Sequence, residues 1–323
     1  MLNAERELDL LAPTRIAPRT RGDKAAVEAA ADLLAKAKRP ILIAGDAIAH
    51  GDALNEMVEV AELLGAPVYT ECIPSTCSFP FTHPLYQGPF ARLGGPIRAL
   101  LMQHDLLFSV GGDLFTLSLP SDVEPMPEGL PLIHMDVDPW EIGKNYPAQV
   151  AIAGDPKATL PDLAEALRRR LSPATNKDAR ARTAALGAAM DKRRRAMRET
   201  AAAEAGRTPI SPLSLVAAIV DAMPEDAIVV DESISSGYGV RELLRSSDPR
   251  SFYGIRGGGI GWGLPAALGV KLAQPSRPVV AEDDRYIAMD LVNPTIDYVG
   301  LARSLGVPRE LGGGERPPKS GAR

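Results

Sequence analysis

The chain has 323 residues, enough for about two domains on the usual scale of ~100–200 residues each. Its formal charge of -5 argues against nucleic acid as a partner. Aromatic residues make up only 5%, so cores built from Ala, Leu, Val and Ile are expected. No uninterrupted apolar run approaches the ~20 residues of a membrane span, and the opening MLNAERELDLLAPTRIAPRT has no apolar core of signal-peptide type. Cys72 and Cys77 are the only cysteines, and their spacing fits no zinc pattern. The expectation is a cytoplasmic protein with free thiols and no membrane partner.

After a lead of residues 1–20, an Ala-rich amphipathic helix is predicted over 24–38, broken by Arg39-Pro40, with a buried strand over 41–44. Gly45-Asp46 ends that strand. A helix over 53–64 closes at Gly65. Strands are predicted at 67–71, 105–110, 132–136 and 150–153, with helices at 96–103 and 159–171. Continuous apolar strands alternating with helices imply a parallel sheet covered on both faces. Residues 21–171 therefore read as a doubly wound, Rossmann-like α/β domain. Gly45-Asp46 and Gly111-Gly112 lie at the carboxyl ends of strands, where open sheets bind ligands.

Residues 172–208 are polar, charged and Ala-rich, and read as an exposed helical linker. The basic run over 192–195 reads as a solvated helix face. A second α/β domain is predicted over 209–309, with helices at 213–223 and 237–244 and a strand at 227–231. It continues as SFYGIRGGGIGWGLPAALGVKLAQPSRPVVA, in which glycines let backbone approach a bound molecule. A small-residue helix over 264–272 and a buried strand over 277–281 follow. The tail, 310–323, is read as disordered.

That glycine-rich run resembles the cofactor-binding domain of thiamine diphosphate (ThDP) enzymes of the acetolactate synthase and benzoylformate decarboxylase group. RPILIAGDAIAHGDA, ELLGAPVYTE, FPFTHPLYQG, HDLLFSVGGD and IHMDVDPWEIGKNYPAQVAIAGDPKATL resemble the central domain of the same enzymes in order and spacing. The resemblance implies a cofactor-dependent decarboxylase or carboligase acting on small 2-oxo acids, with ThDP and magnesium. It also implies a homo-oligomer, or a separate subunit carrying the pyrimidine-binding domain.

By the resemblance, Glu232, Ser233, Ser235 and Ser236 lie in the loop beneath the diphosphate. Ser235 is the first candidate for a phosphate contact, with N-capping of the next helix as its alternative. Gly258, Gly259 and Ile260 face the cofactor: the Gly258 carbonyl meets its amino group, and Ile260 is the wedge that bends it. In the family the strand after the glycine-rich helix runs into a Gly-Asp-Gly turn, with an Asn downstream, and these hold the metal. Here it meets Glu282-Asp283-Asp284-Arg285. No metal ligand and no catalytic residue is assigned. The pyrimidine domain, which supplies the activating Glu in the family, has no counterpart before residue 24.

The expectation is a relative that does not turn over as this chain alone, with a second domain only marginally stable because a strand is missing. Two other roles stay open: a non-catalytic scaffold or FAD/ADP-binding module built on the central domain, and one half of a split enzyme. FAD itself is not expected, because no G-x-G-x-x-G follows the first strand. The four histidines, His50, His83, His104 and His134, are expected to be structural. Ser118 stands where decarboxylases of benzoylformate type carry an active-site His, which argues against benzoylformate as the substrate.

Overall fold

The computed structural model describes residues 19–282, apart from 116, 118, 234–236, 238 and 258, and these described residues fall within one compact unit. A six-stranded parallel sheet forms its larger half. In chain order the strands are β1 (Pro40–Ala44), β2 (Val68–Thr70), β3 (Tyr86–Pro89), β4 (Leu106–Val110), β5 (Leu132–Asp136) and β6 (Val150–Ala153). Their spatial order is β3-β2-β1-β4-β5-β6. All five residues of β1, β4 and β5 are buried, as continuous apolar strands covered on both faces must be. The chain leaves β1 toward β2 on one side and returns to β4 on the other, so the topological switch point lies between β1 and β4.

The helices of this half are α1 (Lys24–Lys36), α2 (Asp46–His50), α3 (Leu54–Leu64), α4 (Gly94–Leu101) and α5 (Pro156–Arg170). Asp23 caps α1 by accepting from Ala25 and Ala26 N–H, and Asp155 caps α5 by accepting from Ala158 N–H. Gly65 ends α3 with φ of 55°, the left-handed geometry predicted for it. The short α2 and β3 have no counterpart among the predicted elements.

The stretch read as an exposed linker is the 31-residue helix α6 (Pro173–Ala203). It is a strut rather than a tether, because Ala179, Met190, Met197 and Ala201 are buried. Arg182 donates to the Leu64 carbonyl at 2.5 Å. The basic run is likewise not wholly solvated: Arg193 pairs with Glu242 at 2.7 Å, and Arg194 donates to the carbonyls of Glu242 and Phe81. Two of its four cations thus join α6 to neighbouring segments.

The smaller half holds α7 (Pro212–Ala222), β7 (Ile228–Asp231), α8 (Val240–Leu243), β8 (Phe252–Gly254), α9 (Gly263–Ala273) and β9 (Val279–Glu282). Its parallel sheet has the order β8-β7-β9. The two sheets meet along the loop that follows β2. Gly254 N–H donates to the Ser75 carbonyl at 2.9 Å, and Thr76 bridges to Tyr253. Phe81 stacks on Tyr86 and meets Phe252 edge-on, at centroid distances of 4.9 and 5.6 Å. The acidic triplet's last two residues and the predicted tail lie outside the described residues, as does everything before residue 19.

Candidate functional site

The glycine-rich segment between β8 and α9 is shaped by carboxylates. Glu232, two per cent exposed at the end of β7, accepts backbone N–H bonds from Gly261 at 2.5 Å, Trp262 at 3.2 Å and Gly263 at 2.5 Å. A buried carboxylate is stable only when its oxygens are filled. Here they are filled by amides that the start of α9 leaves without intrahelical partners. Glu232 therefore shapes the loop from within, and its oxygens are already taken. Gly263 has to be glycine, because a Cβ there would lie 2.8 Å from the Glu232 carboxylate.

The near side of the loop is tied just as firmly. Arg256 reaches the larger half and bonds Asp46 at 2.8 Å, Asp113 at 2.7 Å and Glu71 at 3.2 Å. Ile255 N–H donates to the Asp231 carbonyl at 3.2 Å. Between the two anchors, a Cβ placed on Gly257, Gly259 or Gly261 would meet nothing within 4 Å. Ile260 is 53% exposed. The loop is thus pinned at its ends and open on its outer face, a shape that leaves room for a bound molecule.

Ser233 is buried and donates its hydroxyl to Asp231 at 2.5 Å. Asp231 also receives Ser233 N–H at 2.9 Å and pairs with Arg241 at 3.2 Å, and Arg241 lies 5.0 Å above the Phe252 ring. Ser233 is thereby committed within the protein. Ser235, Ser236 and Gly258 lie outside the described residues. The helix predicted from Gly237 begins at Val240, behind Gly239 with φ of 90°, so the predicted start is three residues early.

At the switch point, the glycines noted in the sequence serve packing. A Cβ on Gly45 would fall 2.2 Å from the Gly111 carbonyl oxygen, and one on Gly112 would fall 2.1 Å from Glu71. Burial, followed by the charge of Asp113, pushes the Glu71 carboxyl up to about 8. Asp46 is held by Thr76 Oγ1 at 2.7 Å and by Ser75 N–H at 3.2 Å, besides Arg256. The space left beside Glu71, Cys72, Ile73, Asp113 and Arg256 is about 20 Å³, room for roughly one water.

Elsewhere, conspicuous residues have structural partners. His134 is buried between the Gly112 carbonyl and Gly143 N–H, and His83 lies against Glu62 and Leu85 N–H. Within DVDPWEIGK, Asp136 accepts from Asp138 N–H and Asp138 from Trp140 N–H, which are local turns. Cys72 and Cys77 are buried free thiols, each pushed by burial up to about 12. Among the described residues no group of three His, Cys, Asp or Glu could hold a metal ion, and no helix is long and apolar enough to cross a membrane.

The fold defines a class, a parallel six-stranded α/β domain joined to a second, smaller parallel sheet that carries a glycine-rich loop. Comparison with known proteins makes it specific. Residues 27–163 match the family model for the central domain of thiamine pyrophosphate enzymes. Benzoylformate decarboxylase of Pseudomonas aeruginosa is 32% identical over 248 residues, covering 76% of this chain and 43% of that protein. Sulfoacetaldehyde acetyltransferase of Alcaligenes xylosoxydans xylosoxydans is 31% identical over 303 residues, covering 86% and 49%. A solved Mycobacterium smegmatis structure, described as a thiamin diphosphate-dependent enzyme, superposes with a TM-score of 0.67 at 27% identity, covering 84% of this chain and 49% of that one. The chain belongs to the ThDP-dependent enzyme family. It spans less than half the length of these relatives.

The residues present fit the cofactor in part. The open face of the pinned loop suits a ring system packed against Ile260 and the glycine backbone. A diphosphate end needs a divalent ion in a cage of oxygen donors, and no such set occurs among the described residues. The carboxylates nearest the loop are occupied by backbone amides and by Arg256.

Proposed function

We propose that these residues are the central domain and part of the cofactor-binding domain of a ThDP-dependent decarboxylase or carboligase for 2-oxo acids. On this reading the chain does not turn over by itself. The observation that carries the proposal is the loop 257–261, fixed at one end by Glu232 and at the other by Arg256, with its outer face free. Gly258, Gly259 and Ile260 are the residues assigned to the cofactor's ring end. Ser235 and Ser236 are assigned to its phosphates, with Glu232 and Ser233 holding the loops. Catalysis needs a cation site that the run Glu282-Asp283-Asp284-Arg285 does not replace: three adjacent carboxylates without flanking glycines repel a diphosphate. It also needs a carboxylate on the cofactor's pyrimidine ring, which the described residues do not supply.

A subunit partner is favoured by the apolar surface around the loop. Leu264 and Leu272 of α9 are 40% and 65% exposed, and Ile260 stands out beside them. A cytoplasmic location suits the buried thiols. The test is direct: purified chain is supplied with ThDP, magnesium and pyruvate or benzoylformate, and carbon dioxide is measured. No release above the protein-free control is expected. Sustained, ThDP-dependent release overturns the proposed inactivity.

A further inference from the structure

Three carboxyl groups from three separate segments converge on one cation at the carboxyl edge of the large sheet. Asp46 follows β1, Glu71 follows β2 and Asp113 follows β4, and Arg256 reaches them from the glycine-rich segment, more than 140 residues away in sequence. Glu71 and Asp46 are more than nine-tenths buried. Gathering buried carboxylates is costly unless each is matched by donors. Arg256 supplies a planar fork whose donors serve three acceptors at once, which the point charge of a lysine cannot reproduce.

The backbone around Arg256 explains what this clasp does. Gly254 N–H is bonded to Ser75 and Ile255 N–H to Asp231. The first residue beyond Arg256 is Gly257, and a Cβ on Gly257, Gly259 or Gly261 would touch no neighbour. Without the clasp, the near end of the loop is held by the three-residue β8 and by the single Ile255–Asp231 backbone bond. Glu232 fixes only the far end.

We propose that Arg256 is a positioning residue for the glycine-rich loop. Its guanidinium, clasped by Asp46, Glu71 and Asp113, fixes loop 257–261 against the large sheet and fills the switch-point crevice that an open α/β sheet offers to a ligand. The crevice is thereby a guanidinium-accepting site occupied by the chain's own Arg256. The role of the loop rests on the function proposed above; the clasp does not.

Hydrogen exchange on the full chain separates the two. In R256A, amides over 254–263 exchange about tenfold or more faster than in the wild type, as loss of charge-assisted anchoring implies. Amides of β1, β4 and β5 keep wild-type protection. Methylguanidinium restores protection of 254–263 in R256A, whereas methylammonium at equal concentration does not. R256K recovers part of it. D113N removes the shortest of the three contacts without emptying the crevice, and serves as the second variant should R256A not fold; it accelerates the same amides by several-fold. Wild-type protection of 254–263 in R256A or D113N, or equal rescue by methylammonium, overturns the proposal. ThDP binding is titrated separately on the wild type, and tight, magnesium-dependent binding overturns the function proposed above while leaving the exchange result intact.

Discussion

The two sheets were built by the same rules but are finished to different degrees. In the larger sheet, β1, β4 and β5 are buried along their whole length between two helical layers. In the smaller one, β7 is fully buried, yet among the described residues β9 pairs only with β7, and Val279 and Val280 are half-buried. Helix α9 is apolar except for Lys271 but buries only Gly263 and Ala267. A helix of that composition belongs inside a larger core. Among the described residues the large sheet is covered on both faces, whereas β9 and α9 of the small one are only partly covered.

Core truncation should show this contrast most strongly. Phe108→Ala in β4, at zero exposure, is expected to cost ~3–5 kcal/mol. Val280→Ala in β9, half-buried, should cost under ~1 kcal/mol. Urea unfolding monitored by circular dichroism measures both, and similar losses would erase the distinction. Next in size is Glu232→Gln, which keeps the shape but loses the charge that gathers three amides. A loss of ~1.5–3 kcal/mol is expected, with exchange of the Gly261, Trp262 and Gly263 amides accelerated and those of β5 unaffected.

The pH response comes from the junction between the halves. Glu71 is faced by Asp113, Asp46 and Arg256, and its native carboxyl titrates near 8 instead of 4.5. Between those values the folded chain holds a proton that the unfolded chain has released, so stability falls as pH rises from about 5 toward 8. Glu71→Gln should flatten that slope in thermal melts across the same window. An unchanged slope would mean that Glu71 is ionised in the fold. The smallest effect is expected at the exposed pair Arg198–Asp221, 2.8 Å apart. Asp221→Asn there should shift stability by under ~1 kcal/mol, less in high salt.

Much of the large sheet was legible because its signals are local. Strands 132–136 and 150–153 fall where their apolar runs place them, and Gly65 stops α3 as a glycine after a periodic segment should. Edge elements were missed because their sequences carry no run: β3 reads Tyr-Gln-Gly-Pro, and β8 has three residues. Helix α6 was read as a linker because its polar composition hides four buried positions spread over 31 residues. The glycine loop was legible, but its anchors were not. Arg256 meets Asp46 across 210 residues and Glu71 across 185, and no spacing in the sequence announces such a meeting. Glu232 was expected beneath a diphosphate, and the structure shows its oxygens taken by the amides of Gly261, Trp262 and Gly263.

On the function proposed above, the glycine-rich loop alone does not retain ThDP, because no cation site occurs among the described residues. Isothermal titration of the purified chain with ThDP, with and without magnesium, tests it most directly. No saturable heat is expected in either condition. Tight binding that appears only with magnesium, and disappears in a variant with Glu282, Asp283 and Asp284 neutralised, would contradict it.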